Sequence, residues 1–348
     1  MRKVSISEIK PGERVEKSIY LNFGCLYLPK GAVVEEKTIN RLKNIGIEEV
    51  FISEEESPEE ELMDYHDKEE AKKSYNLCLE STQELMEKIH EKRYSTIQEI
   101  NKTIDLIIRE ILSKSDILVR MIEMKKQDSY LYCHSMNVCI LAAMVGKWMG
   151  YSGKKLYQLI TAGLLHDIGM THVYSKLTGD VSQLENDIKE DKIKEHTIYG
   201  YDAVNKIRGI DRSVCQAILL HHERSDGSGY PFGLHNENIP NFAKIVSVID
   251  TYDNLIWDKE RGMADNPYLI VEKIKNDGFT TLDPEIVYVF TRNICDFFIG
   301  NVVKLSNGKV GRIVQSNTVR PSKPVVQMGS EYIDLEKNPS ITIERVII

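Results

Sequence analysis

Five histidines and two aspartates stand at the ends or edges of apolar helical runs, and no other feature of this sequence restricts its fold as much. His134 lies early in the run Tyr132-Cys133-His134-Ser135-Met136-Asn137-Val138, and His166-Asp167 follow Gly163-Leu164-Leu165. His196 lies in Glu195-His196-Thr197-Ile198-Tyr199-Gly200. His221-His222 close Ile218-Leu219-Leu220, and Asp250 closes Ile245-Val246-Ser247-Val248-Ile249. Apolar runs pack into a core and draw these polar groups to its margin. A buried imidazole or carboxylate without a partner costs on the order of several kcal/mol. A fold that buries all seven must therefore bring them together, and divalent cations are natural partners for both kinds of group.

The donor set is all nitrogen and oxygen. The absence of thiolate disfavours a structural zinc site and suits iron or manganese. Seven candidates are too many for one tetrahedral ion and suit two metals sharing a bridging carboxylate. Two ions about 3.5–4 Å apart can hold a bridging hydroxide and clamp a phosphodiester for in-line attack. The net charge of −8 argues against a nucleic-acid polymer as partner but leaves room for a small anion. Six scattered cysteines form no CxxC pair and read as reduced thiols. No apolar run reaches the roughly 20 residues of a membrane helix. The start, Met1-Arg2-Lys3-Val4-Ser5, has no apolar run behind it, so no signal peptide is expected. These features together predict a cytoplasmic protein without a membrane partner.

A chain of 348 residues allows two or three domains. The pattern predicts a mainly α protein with a small β-containing N-terminal module and a β-rich C-terminal tail. Residues 1–52 read as an α/β module, with β-type runs at Val4–Ile6, Cys25–Leu28 and Glu49–Ile52. Glu35–Asn44 carries a helical pattern, and Gly46 is a candidate C-cap. Residues 53–128 read as an acidic linker followed by helices, because Ile97, Ile100, Ile104, Ile107 and Ile111 recur at 3–4 spacing. A homodimer could form through the 62–128 helices. Residues 129–299 read as a domain of successive helices with no β alternation. Residues 300–348 hold short β-branched runs at Val302-Val303, Val310–Val314, Val325-Val326 and Ile341–Ile343.

His166-Asp167 with its flanking histidines precedes His221-His222-Glu223-Arg224-Ser225-Asp226-Gly227-Ser228-Gly229-Tyr230-Pro231. Over about residues 126–299 this arrangement resembles the HD-GYP family, a branch of the HD-domain metal-dependent phosphohydrolases. The resemblance implies an all-helical catalytic domain with a di- or trinuclear site, often of iron. It also implies hydrolysis of cyclic di-GMP to linear pGpG and GMP. Carried over by motif, His134, His166, Asp167 and Asp250 would hold one metal, and His196, His221 and His222 the second, with Asp167 bridging. Asp253, one helical turn after Asp250, would stand behind the ligands, and either it positions the attacking water or a protonated group assists the leaving 3′ oxygen. Trinuclear members carry a Glu four residues before the first His. Tyr130 stands there in this chain, so the resemblance implies a binuclear site. On the Gly229-Tyr230-Pro231 loop, Tyr230 offers a flat face to a base or phosphate.

The chain departs from the family pattern at its cations. The usual HDxGK string reads His166-Asp167-Ile168-Gly169-Met170, so a phosphate-contacting lysine is a methionine. Two arginines usual after the metal aspartate are replaced by Lys259 and Gly262, with Arg261 one place out of register. Lys244, Lys259 or Arg261 could compensate. The sequence therefore leaves open a cyclic-dinucleotide phosphodiesterase, a phosphohydrolase of another nucleotide or phosphoester, and a weakened cyclic-dinucleotide sensor or scaffold. His172, close after the HD pair, reads as a solvent-facing loop residue.

Overall fold

Alternation and helical periodicity sort the chain into two kinds of structure, and the computed structural model bears out both. It describes residues 59–92, 96–112, 130–177, 191–257, 266–317, 319–329 and 331–347 continuously, and residues 2–52 in part. Two compact units result. One contains both ends of the chain, up to Lys73 and from Cys295 onward. The other contains the described residues from Ser74 to Ile294.

In the first unit, strand β1 (Arg2–Ser5) is followed by β2 (Ile19–Leu21), β3 (Cys25–Leu28) and β4 (Glu49–Ile52). β1 pairs antiparallel with β4, and β2 with β3. Val4, Val50 and Ile52 share a small apolar core with Ile39 and Leu42. Of the helical pattern expected over Glu35–Asn44, positions 38, 39, 42 and 43 are described and helical. Gly46 lies outside the described residues.

The C-terminal strands are β5 (Val302–Leu305), β6 (Val310–Gln315), β7 (Val325–Met328), β8 (Glu331–Asp334) and β9 (Ile343–Ile347). They form one antiparallel sheet in the order β8-β7-β6-β5-β9. Val303, Leu305, Ile313, Val326 and Ile343 are buried, which is the period-two pattern of a sheet with one covered face. β8 carries no apolar alternation in the sequence because it is an edge strand whose residues are exposed or half-buried. The last strand runs over Ile343–Ile347, two residues later than the β-branched pattern at 341–343 suggests.

The second unit is helical. Helix α1 (Glu59–His90) contributes its C-terminal part, and α2 (Ile97–Ile107) continues into a π-helical turn at Ile108–Leu112. Glu99 Oε2 accepts the Thr96 backbone N–H at 2.9 Å, closing a capping box at the start of α2. Ile100, Ile104, Ile107 and Ile111 are buried, as their spacing predicts. The helical pattern expected over residues 113–128 lies outside the described residues.

Helices α3 (Tyr130–Trp148), α4 (Gly153–Leu165), α5 (Met170–Leu177), α6 (His196–Val204), α7 (Arg212–Leu220) and α8 (Asn241–Trp257) follow. α9 (Pro267–Asp277) and α10 (Pro284–Ile294) complete the unit. α3 is mostly apolar and buried without a break from Cys133 to Gly146, so it forms the centre of the unit. α4 packs tightly against it because Gly163 has no side chain: a Cβ there would lie 2.9 Å from the Val138 carbonyl oxygen. Among the described residues no helix is long and apolar enough to cross a membrane.

Candidate metal centre

The candidate ligands sit largely where helices begin or end, and that position sets their orientation. The last carbonyls of an α-helix have no intrahelical partner. His166, just past α4, donates from Nδ1 to Gly163 O at 2.9 Å. His221, just past α7, does the same to Ile218 O at 2.8 Å. His196, at the start of α6, reaches Ile193 O at 2.6 Å. His134, one turn inside α3, places Nδ1 2.7 Å from Asp253 Oδ2 on α8.

With the proton held at Nδ1, each ring turns its Nε2 lone pair into a common space. There the Nε2 atoms of His134 and His166 lie 3.1 Å apart, and those of His196 and His221 lie 3.4 Å apart. Lone pairs this close repel unless a cation or a proton stands between them.

Asp167 connects the two pairs. Its Oδ2 lies 3.7 Å from His134 Nε2 and 3.5 Å from His166 Nε2. Its Oδ1 lies 3.2 Å from His196 Nε2 and 3.6 Å from His221 Nε2. Oδ1 is buried and has no aligned hydrogen-bond donor. Asp250 Oδ1 lies 3.1 Å from His134 Nε2, and its Oδ2 lies 3.9 Å from His222 Nδ1. The donors fall into two groups, His134, His166 and Asp250 in one and Asp167, His196, His221 and His222 in the other. Within each group the candidate atoms lie within 4.8 Å of one another. All seven sequence candidates are thus in one place, with an orphaned carboxylate oxygen and opposed lone pairs that suit a pair of cations.

The charge states follow from this crowding. Burial by itself would raise the carboxyl of Asp167, but the charge of His166 and the imidazoles of His196 and His221 close to Oδ1 hold it well below the usual range. Burial also opposes ionisation of Asp250, and the imidazoles of His134, 3.1 Å away, and His166 beside it overcome it. His222 is held well below the usual imidazole value by burial and by the charge of His221. His134 goes the other way: burial lowers it, but hydrogen bonds to Asp250 and Asp253 outweigh burial and raise it well above.

The metal-free chain therefore keeps a proton on His134 at neutral pH, where a cation must compete for Nε2. Loading should release protons from this ring and from His196, which its contact with Asp167 also raises, so affinity should increase with pH while these rings stay protonated. Titration calorimetry in buffers of different ionisation enthalpy measures this release. A heat of binding independent of the buffer would contradict it.

Aromatic rings wall the site. Tyr130 stacks on His134 at 5.4 Å and 6° between planes. Its hydroxyl donates to Asn254 Oδ1, and Asn254 Nδ2 donates to Asp250 Oδ1 at 2.7 Å. Tyr230 stacks on His222 at 4.7 Å and 26°. Its loop is tied to the ligands through the backbone, because Tyr230 N–H donates to His222 O at 3.2 Å. Gly229 lies so close that a Cβ would overlap the His222 carbonyl oxygen and the Arg224 nitrogen. The buried carboxylate of Glu223 accepts Phe232 N–H at 2.7 Å and Leu234 N–H at 2.8 Å, which fixes the loop exit just after Pro231.

Three expectations need correction, and two lie outside the described residues. Asp253 does not face the space where water would attack. It is fully buried behind His134, with Oδ2 against that ring and Oδ1 accepting from Asn137 Nδ2 at 3.0 Å. Asn137 in turn accepts from the Tyr75 hydroxyl at 3.4 Å, so Asp253 belongs to a buried chain that orients a ligand. Lys244 is committed to Asp283, 3.1 Å away and nearly buried with it. Lys259 and Arg261 lie outside the described residues. His172 is in helix α5 and packs edge-on against Tyr199 at 4.4 Å.

Asn137, Glu223 and Asn254 are missing from the sequence expectation, and Tyr130 enters it only in place of a ligand. Tyr130 and Asn137 lie four residues before and three after His134, on its face of α3, which is the signal that could have found them.

Comparison with known proteins gives the same direction. The family described as HD domain matches residues 115–275. A cyclic di-GMP phosphodiesterase of Pseudomonas aeruginosa is 28% identical over 216 residues, which are 62% of this chain and 51% of that protein. A cyclic di-GMP phosphodiesterase of Borreliella burgdorferi is 27% identical over 220 residues, 62% of this chain and 58% of that protein. A 3'3'-cGAMP-specific phosphodiesterase of Vibrio cholerae is 28% identical over 148 residues, 42% of this chain and 33% of that protein. The chain thus spans about half the length of the first two relatives. Among solved structures, an HDG"Y"P protein from Bdellovibrio bacteriovorus shares the fold, with a TM-score of 0.50 and 20% identity over 83% of this chain and 97% of that one.

Proposed function

We propose that the chain is a metal-dependent phosphodiesterase of the HD-GYP kind that hydrolyses a cyclic dinucleotide, with cyclic di-GMP as substrate. The observation that supports this reading best is Asp167, whose two oxygens face two separate histidine pairs. His134, His166 and Asp250 would hold one ion, and His196, His221 and His222 the other, with Asp167 shared. Iron or manganese suits this nitrogen and oxygen set. When bound, two such ions lower the pKa of water and offset charge on the phosphorus oxygens during in-line attack.

The chain's own residues supply positioning. Asp253 and Asn137 keep His134 turned toward the site. Glu223 and the backbone of His222 hold the loop that carries Tyr230, whose ring offers a stacking face beside the ligands. Met170, which supplies no charge to a phosphate, is almost fully buried, and Lys244 is paired elsewhere. Both facts support a second reading, hydrolysis of a different nucleotide or phosphoester.

Anaerobic purification, elemental analysis and a hydrolysis panel test the proposal. The panel includes cyclic di-GMP, 3'3'-cGAMP, the linear dinucleotide and bis(p-nitrophenyl) phosphate. Protein loaded with two iron or manganese ions should convert cyclic di-GMP to the linear dinucleotide or to GMP. Loaded protein that cleaves the simple diester but no cyclic dinucleotide would establish the second reading instead.

A further inference from the structure

The candidate metal centre opens into a cavity of about 360 Å³. Its lining includes the candidate ligands His222 and Asp250 together with Arg224, Lys273 and Asp277. Ligand pockets start at roughly 300 Å³, so this volume has room for a phosphodiester group. A cyclic dinucleotide presents two phosphates. Ions at the centre would hold the one being cleaved, and the other needs cations from the protein. The lysine usual in the HDxGK string is Met170 in this chain, and Lys244 is held by Asp283.

The cavity supplies cations that the metal centre does not use. Arg224 is fixed in place by its Nη1, which donates to His221 O at 3.2 Å, to Glu223 O at 3.1 Å and to Ser247 Oγ. Its remaining N–H groups make no hydrogen bond among the described residues. Lys273, on α9, lies 3.1 Å from Asp277 Oδ2 one turn along the same helix and is about one-third exposed. Pairs of that kind on a helix surface are weak and exchange readily for a better anion. With Asp250 committed to the ligand group, the lining holds two cations against one carboxylate.

We infer that this cavity is the subsite for the phosphate that is not cleaved, with Lys273 leaving Asp277 to contact it and Arg224 presenting a fixed guanidinium beside it. The inference rests on the reading of the chain as a cyclic-dinucleotide hydrolase and names the residues that replace the missing lysine.

The test uses the metal-loaded full chain and the variants Lys273→Met, Lys273→Arg and Asp277→Asn. Lys273→Met should raise KM for cyclic di-GMP about tenfold or more, as expected for loss of one charge-assisted contact. Metal content and turnover of bis(p-nitrophenyl) phosphate, which has a single phosphate, should stay unchanged. Lys273→Arg should restore most of the loss. Asp277→Asn frees Lys273 and should leave KM equal or lower. If the pair only braced α9, Lys273→Met and Asp277→Asn would act in the same direction, and the inference would fall. An unchanged KM in Lys273→Met would overturn it equally.

If the wild-type chain binds cyclic di-GMP in calorimetry without cleaving it, the hydrolase reading fails while the subsite is still tested. Weaker binding by Lys273→Met then supports the subsite, and equal binding refutes it. If the wild-type chain neither binds nor cleaves cyclic di-GMP, both fall.

Discussion

Asp167→Ala is expected to leave purified protein short of at least one ion and to lower hydrolysis about a thousandfold. The charge stabilisation a metal gives to a phosphoryl oxygen is worth several kcal/mol, and each 1.4 kcal/mol or so is tenfold in rate. The size of the effect comes from the shared position of this side chain. One oxygen lies 3.2 Å from His196 Nε2 and the other 3.5 Å from His166 Nε2, so a single substitution strips a donor from both groups. Asp167→Asn tests the charge with the shape retained, and it should lose ions nearly as completely because an amide oxygen is a weaker donor. Elemental analysis and a cyclic di-GMP assay on the same preparation are the measurements. Activity that survived in metal-depleted Asp167→Ala protein would show that the reaction does not use this site.

The second large effect is expected at Gly169, two residues further on. A Cβ built there would overlap the carbonyl oxygen of His196 and lie 2.6 Å from the Gly200 nitrogen. Both are backbone atoms of α6, so no flexible side chain can move aside. Gly169→Ala should therefore cost about 3 kcal/mol or more, at or beyond the top of the usual range for overpacking. It should also push His196 away from Asp167 and lower metal content. Gly200→Ala is the natural comparison. Its Cβ would meet the Ile218 methyl at 2.9 Å, and a side chain can shift. Urea denaturation should rank the two variants with Gly169→Ala far below Gly200→Ala. Equal midpoints, or wild-type metal content in Gly169→Ala, would mean that α6 adjusts and that its contact with the HD turn is not what brings His196 to Asp167.

The ligand cluster is legible in the sequence because a polar residue at the end of an apolar run is carried to the margin of the core, and seven such residues reinforce one another. Helix positions are legible for a related reason, since Ile100, Ile104 and Ile107 leave little choice of face. What the sequence hides depends on how separate helices pack. Lys244 reads as a free cation because nothing in its neighbourhood announces Asp283, which reaches it only in the folded chain. Asp253 lies three residues after Asp250 on one helix, and that spacing cannot tell that its carboxylate is taken up by His134 and Asn137 and leaves no oxygen to position water. Tyr130 reads as the loss of an acidic ligand, although in the fold its ring covers His134. Lys273 carries no signal at all, because its role in the cavity depends on where α9 lies against the ligand helices. Strand β8 is invisible for a different reason: an edge strand with exposed faces needs no apolar alternation.

The donors come from five stretches of chain between residues 134 and 250, and each stretch belongs to a different helix or helix end. A pair of ions seated among them would therefore cross-link much of the helical unit. Anything that binds only the native form adds to its persistence, by about 2.7 kcal/mol at a hundredfold excess over the dissociation constant. A molecule starved by a chelator should accordingly melt earlier and yield sooner to a protease, so that ion supply governs its lifetime as well as its turnover.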